Sequence, residues 1–178
     1  QYKLMAANLD KNIGRLLDQA GPSTVVCVVG DNGTPIPATA PAQDPSKVKT
    51  TTFEDGIRVP MIWYGPGITH GETDALASLA DILPTMAEAL SCATVAGTDG
   101  VSLLPVLFGV STGVRWSVWS GAERFDDYAL VSDRWKYREV GLSPELYDLD
   151  ADPLETVNLY GTQPQVEAVM AAELLAHK

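Results

Sequence analysis

Apolar and polar residues follow two different periods along this chain. From residue 4 to 17, apolar side chains recur every three to four positions with charged residues on the other side, which predicts an amphipathic helix. Gly21-Pro22 ends this helix. Residues 24–29 are then an unbroken run of β-branched and small apolar residues, typical of a strand buried on both faces in a helix-covered parallel sheet. A helix followed by a buried strand is half of a βαβ unit and favours an α/β fold.

Prolines and glycines divide the middle of the chain. Residues 33–48 are rich in proline, threonine and alanine, which predicts a long loop without regular structure, and such loops are often functional. We predict a turn over 53–56 and a second strand over 57–64. A helix is predicted over 81–90, with Asp81 as its cap.

Beyond residue 110 the chain changes to short segments rich in tryptophan, tyrosine and valine. Three of them predict antiparallel strands: 114–119, 128–139 and 145–149. A closing amphipathic helix is predicted over 163–176. We therefore predict an α/β fold in two parts. Residues 1–110 contribute to a mixed, mostly parallel sheet flanked by helices, and residues 111–178 form a small antiparallel sheet with a closing helix.

Composition narrows the possible classes of protein. The 178 residues are 46% hydrophobic and 20% charged, as expected for a globular chain. A net charge of −11 argues against a nucleic-acid or anionic-membrane partner. No apolar run approaches the length that a membrane span needs. Cys27 lies inside the apolar run, so we expect no disulfide with Cys92, and the start at Gln1 suggests a processed or cut chain.

The first candidate site is Asp31-Asn32, at the carboxyl end of the first strand, where active sites of open α/β sheets lie. A carboxylate and an amide oxygen suit calcium or magnesium, although Asp-Asn-Gly is also a common turn tripeptide. Lys49 is the second candidate, because a lysine near a metal can hold a tetrahedral anion and neutralise a leaving oxygen. Lys47 competes for this role, and a solvated loop lysine is the alternative for both.

The other polar residues predict less chemistry. Glu54 and Asp55 are interpreted as turn acids that Arg58 could pair with, and His70 and His177 as exposed. No nucleophile elbow, Walker loop or CxxC pair is present. Calcium usually takes six to eight oxygen ligands, so the residues alone predict an acidic α/β domain with half a metal site.

Several segments, in the family's order, resemble the C-terminal half of a formylglycine-dependent, arylsulfatase-like sulfatase of the alkaline-phosphatase superfamily. Residues 9–17 are similar to the helix before the metal-binding strand, and 24–33 to the strand that ends in the family's Asp-Asn-Gly. In 49–60 a lysine lies five residues before the Glu of a motif similar to Glu-Gly-Gly-Ile-Arg-Val-Pro. Residues 145–159 look like the family's C-terminal LYDL..DP.E..NL signature, and 81–85 add a shorter match.

The resemblance implies that Asp31 and Asn32 bind one calcium ion, and that Lys49 contacts the sulfate group and its bridging oxygen. The signature around Tyr147 would be structural. The family's nucleophile is made from Cys or Ser in a Cys/Ser-x-Pro-x-Arg motif, and neither Cys27 nor Cys92 has that context. The family's paired aspartates and early catalytic histidine are also absent from this chain, so we expect an N-terminal half to supply all of these groups.

Three hypotheses follow. The chain is part of a sulfatase that acts on a small sulfate ester or a sulfated sugar, inactive by itself and prone to self-association. It is part of a phosphate or phosphonate monoester hydrolase of the same superfamily, since a lysine and oxygen ligands suit either anion. Or it is a truncated module that binds a metal or a partner without catalysis. The resemblance suggests a periplasmic, secreted or lysosomal location, and a cytoplasmic one stays open.

Overall fold

The computed structural model describes residues 2–39, 43–93, 96–122 and 126–178. The helices are α1 (Tyr2–Leu17), α2 (Glu54–Ile57), α3 (Ile82–Ala89), α4 (Leu104–Leu107) and α5 (Pro164–His177). The strands are β1 (Val26–Val29), β2 (Met61–Tyr64), β3 (Ser117–Ala122), β4 (Asp127–Ser132), β5 (Trp135–Val140) and β6 (Ser143–Asp148). In these ranges no helix combines the length and the apolar character that crossing a membrane requires.

The first sheet consists of β1 and β2, which pair antiparallel with Val26 opposite Tyr64 and Val29 opposite Met61. The hydrogen bond from Gly30 N to Pro60 O, at 3.0 Å, extends this pairing beyond both strands. The prediction of a mostly parallel sheet is therefore not confirmed, because both sheets in the described residues are antiparallel. An unbroken apolar run indicates that both faces of a strand are apolar, but it does not determine the direction of the neighbouring strand.

The N-terminal layer, which we define as α1, β1 and β2, has the predicted elements without the predicted burial. All four residues of β1 are half-buried, and no residue of α1 is buried. The apolar stripe of α1 includes Leu9 and Leu16, which are 61% and 71% exposed. An open apolar groove of about 460 Å³ runs between α1 and β1. The hydrophobic pattern is thus present, but within the described residues nothing covers it.

The region around α3 is organised by Asp81, which is fully buried. A capping box with Ser78 forms a 3₁₀ turn over Leu79–Asp81 directly before α3. The Asp81 carboxylate also accepts the amide of Val101 at 2.9 Å and pairs with Arg115. Asp81 therefore lies at the predicted cap position, but its side chain joins neighbouring segments instead of capping the first turn of α3.

The C-terminal sheet is an antiparallel meander in the order β3-β4-β5-β6, as predicted for this part of the chain. Its helix α5 matches the predicted closing helix within one residue at each end. The predicted strand 128–139 is wrong, because it is two strands joined by a tight hairpin at Asp133-Arg134. The core lies between this sheet and α5 and contains Leu130, Tyr137, Leu146, Met170 and Leu174.

Candidate functional site

Asp31 and Asn32 follow β1 directly and are both exposed. They line a cavity of about 280 Å³ together with threonines 50–52 and residues 120–122 at the end of β3. This cavity therefore combines the predicted metal residues with the threonine run and with one edge of the C-terminal sheet.

Gly33 allows the turn after Asn32 to pack closely against α2. Its amide donates to Gly56 O at 3.1 Å, and the next amide, of Thr34, donates to Asp55 O at 2.9 Å. A Cβ atom at position 33 would collide with both carbonyl oxygens. The glycine of Asp-Asn-Gly is thus required by backbone packing, which fixes where Asp31 and Asn32 lie.

Lys49 is tied to the same turn through its backbone. Its amide donates to Thr34 O at 2.9 Å, and its side chain belongs to an exposed residue. The next residue, Thr50, has a φ of +85°, which is strained for a β-branched side chain. Such conformations persist where the surroundings hold them, and they cluster at functional sites.

Lys47, the alternative to Lys49, is engaged elsewhere. Its ammonium group donates to the carbonyl oxygens of Leu154, at 3.2 Å, and Glu155. It also lies 4.7 Å from the centre of the Phe53 ring. These contacts attach Lys47 to the C-terminal part of the chain, so the geometry favours Lys49 as the lysine that faces solvent beside the cavity.

A buried ion network lies behind the segment 47–54, and it was not predicted from the sequence. Lys136 on β5 is completely buried, and its ammonium group is 2.9 Å from both Glu54 Oε1 and Glu155 Oε1. The contact with Glu54 is a hydrogen bond, whereas that with Glu155 is an ion pair without hydrogen-bond alignment. Glu155 Oε2 accepts the amide of Glu54 at 2.7 Å. Burial raises the pKa of the Glu155 carboxyl, and the charge of Lys136 opposes that shift.

Arg138, two residues further along β5, makes a second set of contacts. Its guanidinium donates to both Asp127 oxygens, at 2.9 and 2.7 Å, to Glu145 at 2.7 Å and to the Thr52 hydroxyl at 3.0 Å. Asp127 accepts the amide of Thr52 at 3.1 Å. The guanidinium lies 3.9 Å from the centre of the Phe53 ring. The only sequence signal for this network was the unusual pair of cations at alternate positions of a predicted strand.

The structure also tests the interpretation of the remaining polar residues near α2. Glu54 pairs with Lys136, and the Asp55 side chain accepts a hydrogen bond from Gln43 at 2.9 Å. The suggested pairing of Arg58 with either acid is wrong in the described part of the chain, where Arg58 is exposed. Asp55 lies in the helical turn α2, so it fits without the glycine that the family motif has at this position.

Histidines and cysteines take little part in this site. His70 is exposed, as predicted, and His177 stacks on Trp119 with ring centres 5.7 Å apart. Cys27 and Cys92 are free thiols, which agrees with the expectation of no disulfide. Partial burial raises the pKa of the Cys27 thiol.

The cavity offers part of a calcium site. Asp31 contributes a carboxylate and Asn32 an amide oxygen, and threonines line the remaining polar wall. Among the residues that the structure describes, no group of three or more His, Cys, Asp or Glu side chains is arranged to hold a metal ion. Two neighbouring oxygen donors fit calcium in kind but not in number.

Comparison with known proteins identifies the family. Residues 1–92, just over half of the chain, match the family model described as Sulfatase. The chain therefore belongs to the sulfatase family. The matched segment contains Asp31, Asn32 and Lys49, and it ends before the C-terminal sheet.

Curated relatives agree with this family. The chain is 33% identical to choline-sulfatase from Rhizobium meliloti (strain 1021) over 162 residues, which cover 85% of this chain and 31% of the relative. It is 28% identical to arylsulfatase K from Gallus gallus, covering 89% of this chain and 32% of that protein. The chain thus spans about a third of the length of these relatives.

Solved structures share the fold. A protein of glycosaminoglycan metabolism from Bacteroides thetaiotaomicron is 25% identical, with a TM-score of 0.79 over 94% of this chain and 42% of that one. A phosphonate monoester hydrolase of Agrobacterium radiobacter is 26% identical, with a TM-score of 0.58 over 70% of this chain and 30% of that one. The fold therefore occurs both in a protein of glycosaminoglycan metabolism and in a phosphonate monoester hydrolase.

Proposed function

We propose that this chain is the C-terminal portion of a sulfatase that hydrolyses sulfuric esters. Family membership supports the reaction class. The observation that carries the assignment to residues is the hydrogen bond from Lys49 N to Thr34 O, at 2.9 Å. It ties the lysine to the turn that presents Asp31 and Asn32, and these two residues line the cavity together with Thr50, the residue next to Lys49.

Each residue has a role that its chemistry suits. Asp31 and Asn32 would hold calcium, which would polarise the sulfate oxygens when it is bound. Lys49 would hold the anion and stabilise the negative charge that develops on the leaving oxygen. Lys47 is attached to Leu154 and Glu155 and takes no part in this proposal.

The nucleophile would come from an N-terminal half of the same catalytic domain. The proposal is that a formylglycine made from a Cys/Ser-x-Pro-x-Arg motif attacks sulfur, and no such motif occurs in this chain. Support comes from the open apolar groove between α1 and β1, and from the chain's span of about a third of its relatives. By itself the chain is expected to be inactive and to self-associate through this groove.

The test is steady-state kinetics of the natural full-length protein with an aryl sulfate and calcium. Lys49→Ala is expected to lower kcat/KM by about 10²–10³-fold, because it removes a donor to the developing charge. Lys11→Ala, which removes an exposed lysine of α1 outside this loop, is the control and is expected to change kcat/KM far less. Equal losses in the two variants would overturn the role of Lys49.

The calcium site is tested separately by binding. Asp31→Ala and Asn32→Ala are each expected to weaken calcium binding by the full-length protein in calorimetry, and chelation is expected to abolish turnover. Gln43→Ala, which changes a side chain bonded to Asp55, is the control. Unchanged calcium affinity in Asp31→Ala would remove Asp31 from the proposed site.

The second candidate is a phosphate or phosphonate monoester hydrolase, which the phosphonate hydrolase with the same fold favours. The same cavity and lysine suit either tetrahedral anion. Comparing kcat/KM for an aryl sulfate, an aryl phosphate and a phosphonate monoester decides between them. Absence of turnover for all three, with calcium present, would favour a non-catalytic module.

The proposed substrates are a small sulfate ester or a sulfated sugar. The similarity to choline-sulfatase supports a small sulfate ester. The structural neighbour from glycosaminoglycan metabolism supports a sulfated sugar. A panel of choline sulfate and sulfated glucosamines, assayed with the full-length protein, would rank the two classes.

A further inference from the structure

We infer that Lys136 and Arg138 of the C-terminal sheet are positioning residues for Lys49, an inference that rests on the role proposed for Lys49. Neither residue lines the cavity itself. Both act on the segment 47–54, which we name the lysine loop.

The alternation of β5 explains how the sheet reaches this loop. Side chains two residues apart point to the same face of a strand, so Lys136 and Arg138 share a face that Tyr137 does not. Tyr137 belongs to the core under α5. The cationic face is also buried, since Lys136 is fully buried and Arg138 is 6% exposed. A sheet face that carries two charges is therefore covered by the lysine loop instead of by water.

The contacts of the β5 face that carries Lys136 and Arg138 lie on both sides of Lys49 in the sequence. On the C-terminal side of Lys49, Arg138 and Asp127 hold Thr52, and Lys136 with Glu155 holds Glu54. On the N-terminal side, Lys47 donates to the carbonyl of the same Glu155. The loop is thus fixed at residues 47, 52 and 54, with Lys49 between them.

The strained residue lies between these fixed positions of the loop. Thr50 has a φ of +85°, and the flanking residue Thr51 donates to Val48 O through both its amide, at 3.1 Å, and its hydroxyl, at 2.8 Å. A β-branched residue keeps such a conformation only while its surroundings enforce it. The ion network supplies that constraint, so weakening the network is expected to release the turn that carries Lys49.

The first test is hydrogen exchange at the amides of Lys49 and Thr51, which are bonded to Thr34 O and Val48 O. In full-length protein carrying Glu54→Gln, we expect both amides to exchange at least about tenfold faster. This variant removes one carboxylate from Lys136 and retains the side chain's shape. Arg138→Met is expected to have the same effect, and Arg138→Lys is expected to restore part of the protection.

Arg134→Gln is the matched control, because Arg134 lies in the hairpin directly before β5 and bonds Asp148 instead of the loop. The amide of Leu130, which is fully buried on the inner strand β4, reports global opening. Faster exchange at Lys49 and Thr51 with little change at Leu130 supports the inference. Equal acceleration at all three amides would overturn it, because the network would then serve only general stability.

The second test separates this inference from the proposed function by a double-mutant cycle. Glu54→Gln is expected to lower kcat by up to about 10²-fold with little change in KM, as expected for a misplaced catalytic group. In a Lys49→Ala background the same substitution is expected to cause no further loss. Losses that multiply would overturn the positioning role. If Lys49→Ala leaves kcat unchanged, the proposed function of Lys49 fails, while the exchange experiment still decides whether the network holds the loop.

Discussion

The N-terminal layer and the C-terminal sheet each carry a long helix beside a sheet, but only one of them forms a core. Helix α5 buries Met170 and Leu174 against the sheet, whereas α1 buries no residue. The difference lies in the opposing layer. Helix α5 packs against β4 and β5 of a four-stranded sheet, while the first sheet has two strands of four residues. An apolar stripe stabilises a fold only when a layer of matching size covers it.

The two regions also differ in whether they bury charged side chains. In and beside the C-terminal sheet, Lys136, Arg138, Asp127 and Glu155 are all buried and paired. Among residues 2–39, which the structure describes, no side chain is buried, charged or otherwise. Buried charges require partners with defined geometry, so the C-terminal sheet is the region that can define a loop conformation.

The largest expected effect on the free energy of unfolding comes from replacing a leucine in the C-terminal core, compared with a leucine of α1. Leu146→Ala is expected to destabilise the chain by about 2–5 kcal/mol, because it leaves a cavity in a closed core. Leu9→Ala is expected to change the unfolding free energy by no more than about 0.5 kcal/mol, because Leu9 is exposed. Urea unfolding at low protein concentration measures both. Similar losses would show that α1 is packed in solution.

The next prediction concerns association of the N-terminal layer. The chain expressed alone is expected to form oligomers, and replacing Leu9 and Leu16 together by lysine is expected to weaken them about 100-fold, as for two leucines at about 1.5 kcal/mol each. Sedimentation at several concentrations measures this. Leu154→Lys with Val157→Lys, which alters exposed apolar residues elsewhere, is the control. A chain that is a monomer with a cooperative melt would contradict the proposal of a missing half.

A smaller decrease in the free energy of unfolding is expected at alkaline pH, and it originates in two tyrosines of the C-terminal sheet. Burial, followed by the charges of Glu139 and Glu145, raises the pKa of Tyr137 and Tyr147 above the ordinary value of 10.0. The folded state therefore retains phenolic protons that the unfolded state loses. This contribution to stability is fully present below pH 10 and is lost as pH rises beyond it. Urea midpoints between pH 8 and 11 measure the decline.

Replacing one tyrosine tests the cause of that decline. Tyr147→Phe is expected to reduce the slope of stability against pH, because it removes one titrating phenol. Tyr64→Phe, on the exposed face of β2, is expected to leave the slope unchanged. The alkaline effect would have another origin if both variants kept the full slope.

The smallest effect is expected at the exposed end of the C-terminal sheet. Arg134 pairs with Asp148 at 2.5 Å, but its side chain is 55% exposed. Solvent screens such a pair, so Arg134→Gln is expected to leave the unfolding free energy unchanged within error in thermal or urea unfolding. A loss comparable to that of Leu146→Ala would mean that this pair acts as the buried network does.

Local sequence patterns predict most of the helices and strands and all of the candidate site residues. Periodicity predicted α1 and α5, because a helix repeats every 3.6 residues whatever lies opposite it. Asp31, Asn32 and Lys49 were found because they follow a strand or match a family motif, which are properties of local sequence. The hairpin within 128–139 was missed although Ser132-Asp133-Arg134 is a polar turn signal. The domain boundary near residue 110 stays a prediction.

The direction of strand pairing, the burial of each element and the different contacts of Lys47 and Lys49 became clear from the tertiary structure alone. The antiparallel pairing of β1 with β2 depends on which strand lies beside β1, and a run of valines does not encode this. Lys47 differs from Lys49 because its ammonium group donates to the carbonyl oxygens of Leu154 and Glu155, which lie more than 100 residues further along the chain. Lys136 and Arg138 appear in the sequence only as a pair of cations at alternate positions of a strand, and they contact the lysine loop because the fold brings it onto their face of the sheet. Such long-range contacts depend on which surfaces meet, and no local pattern of residues specifies that.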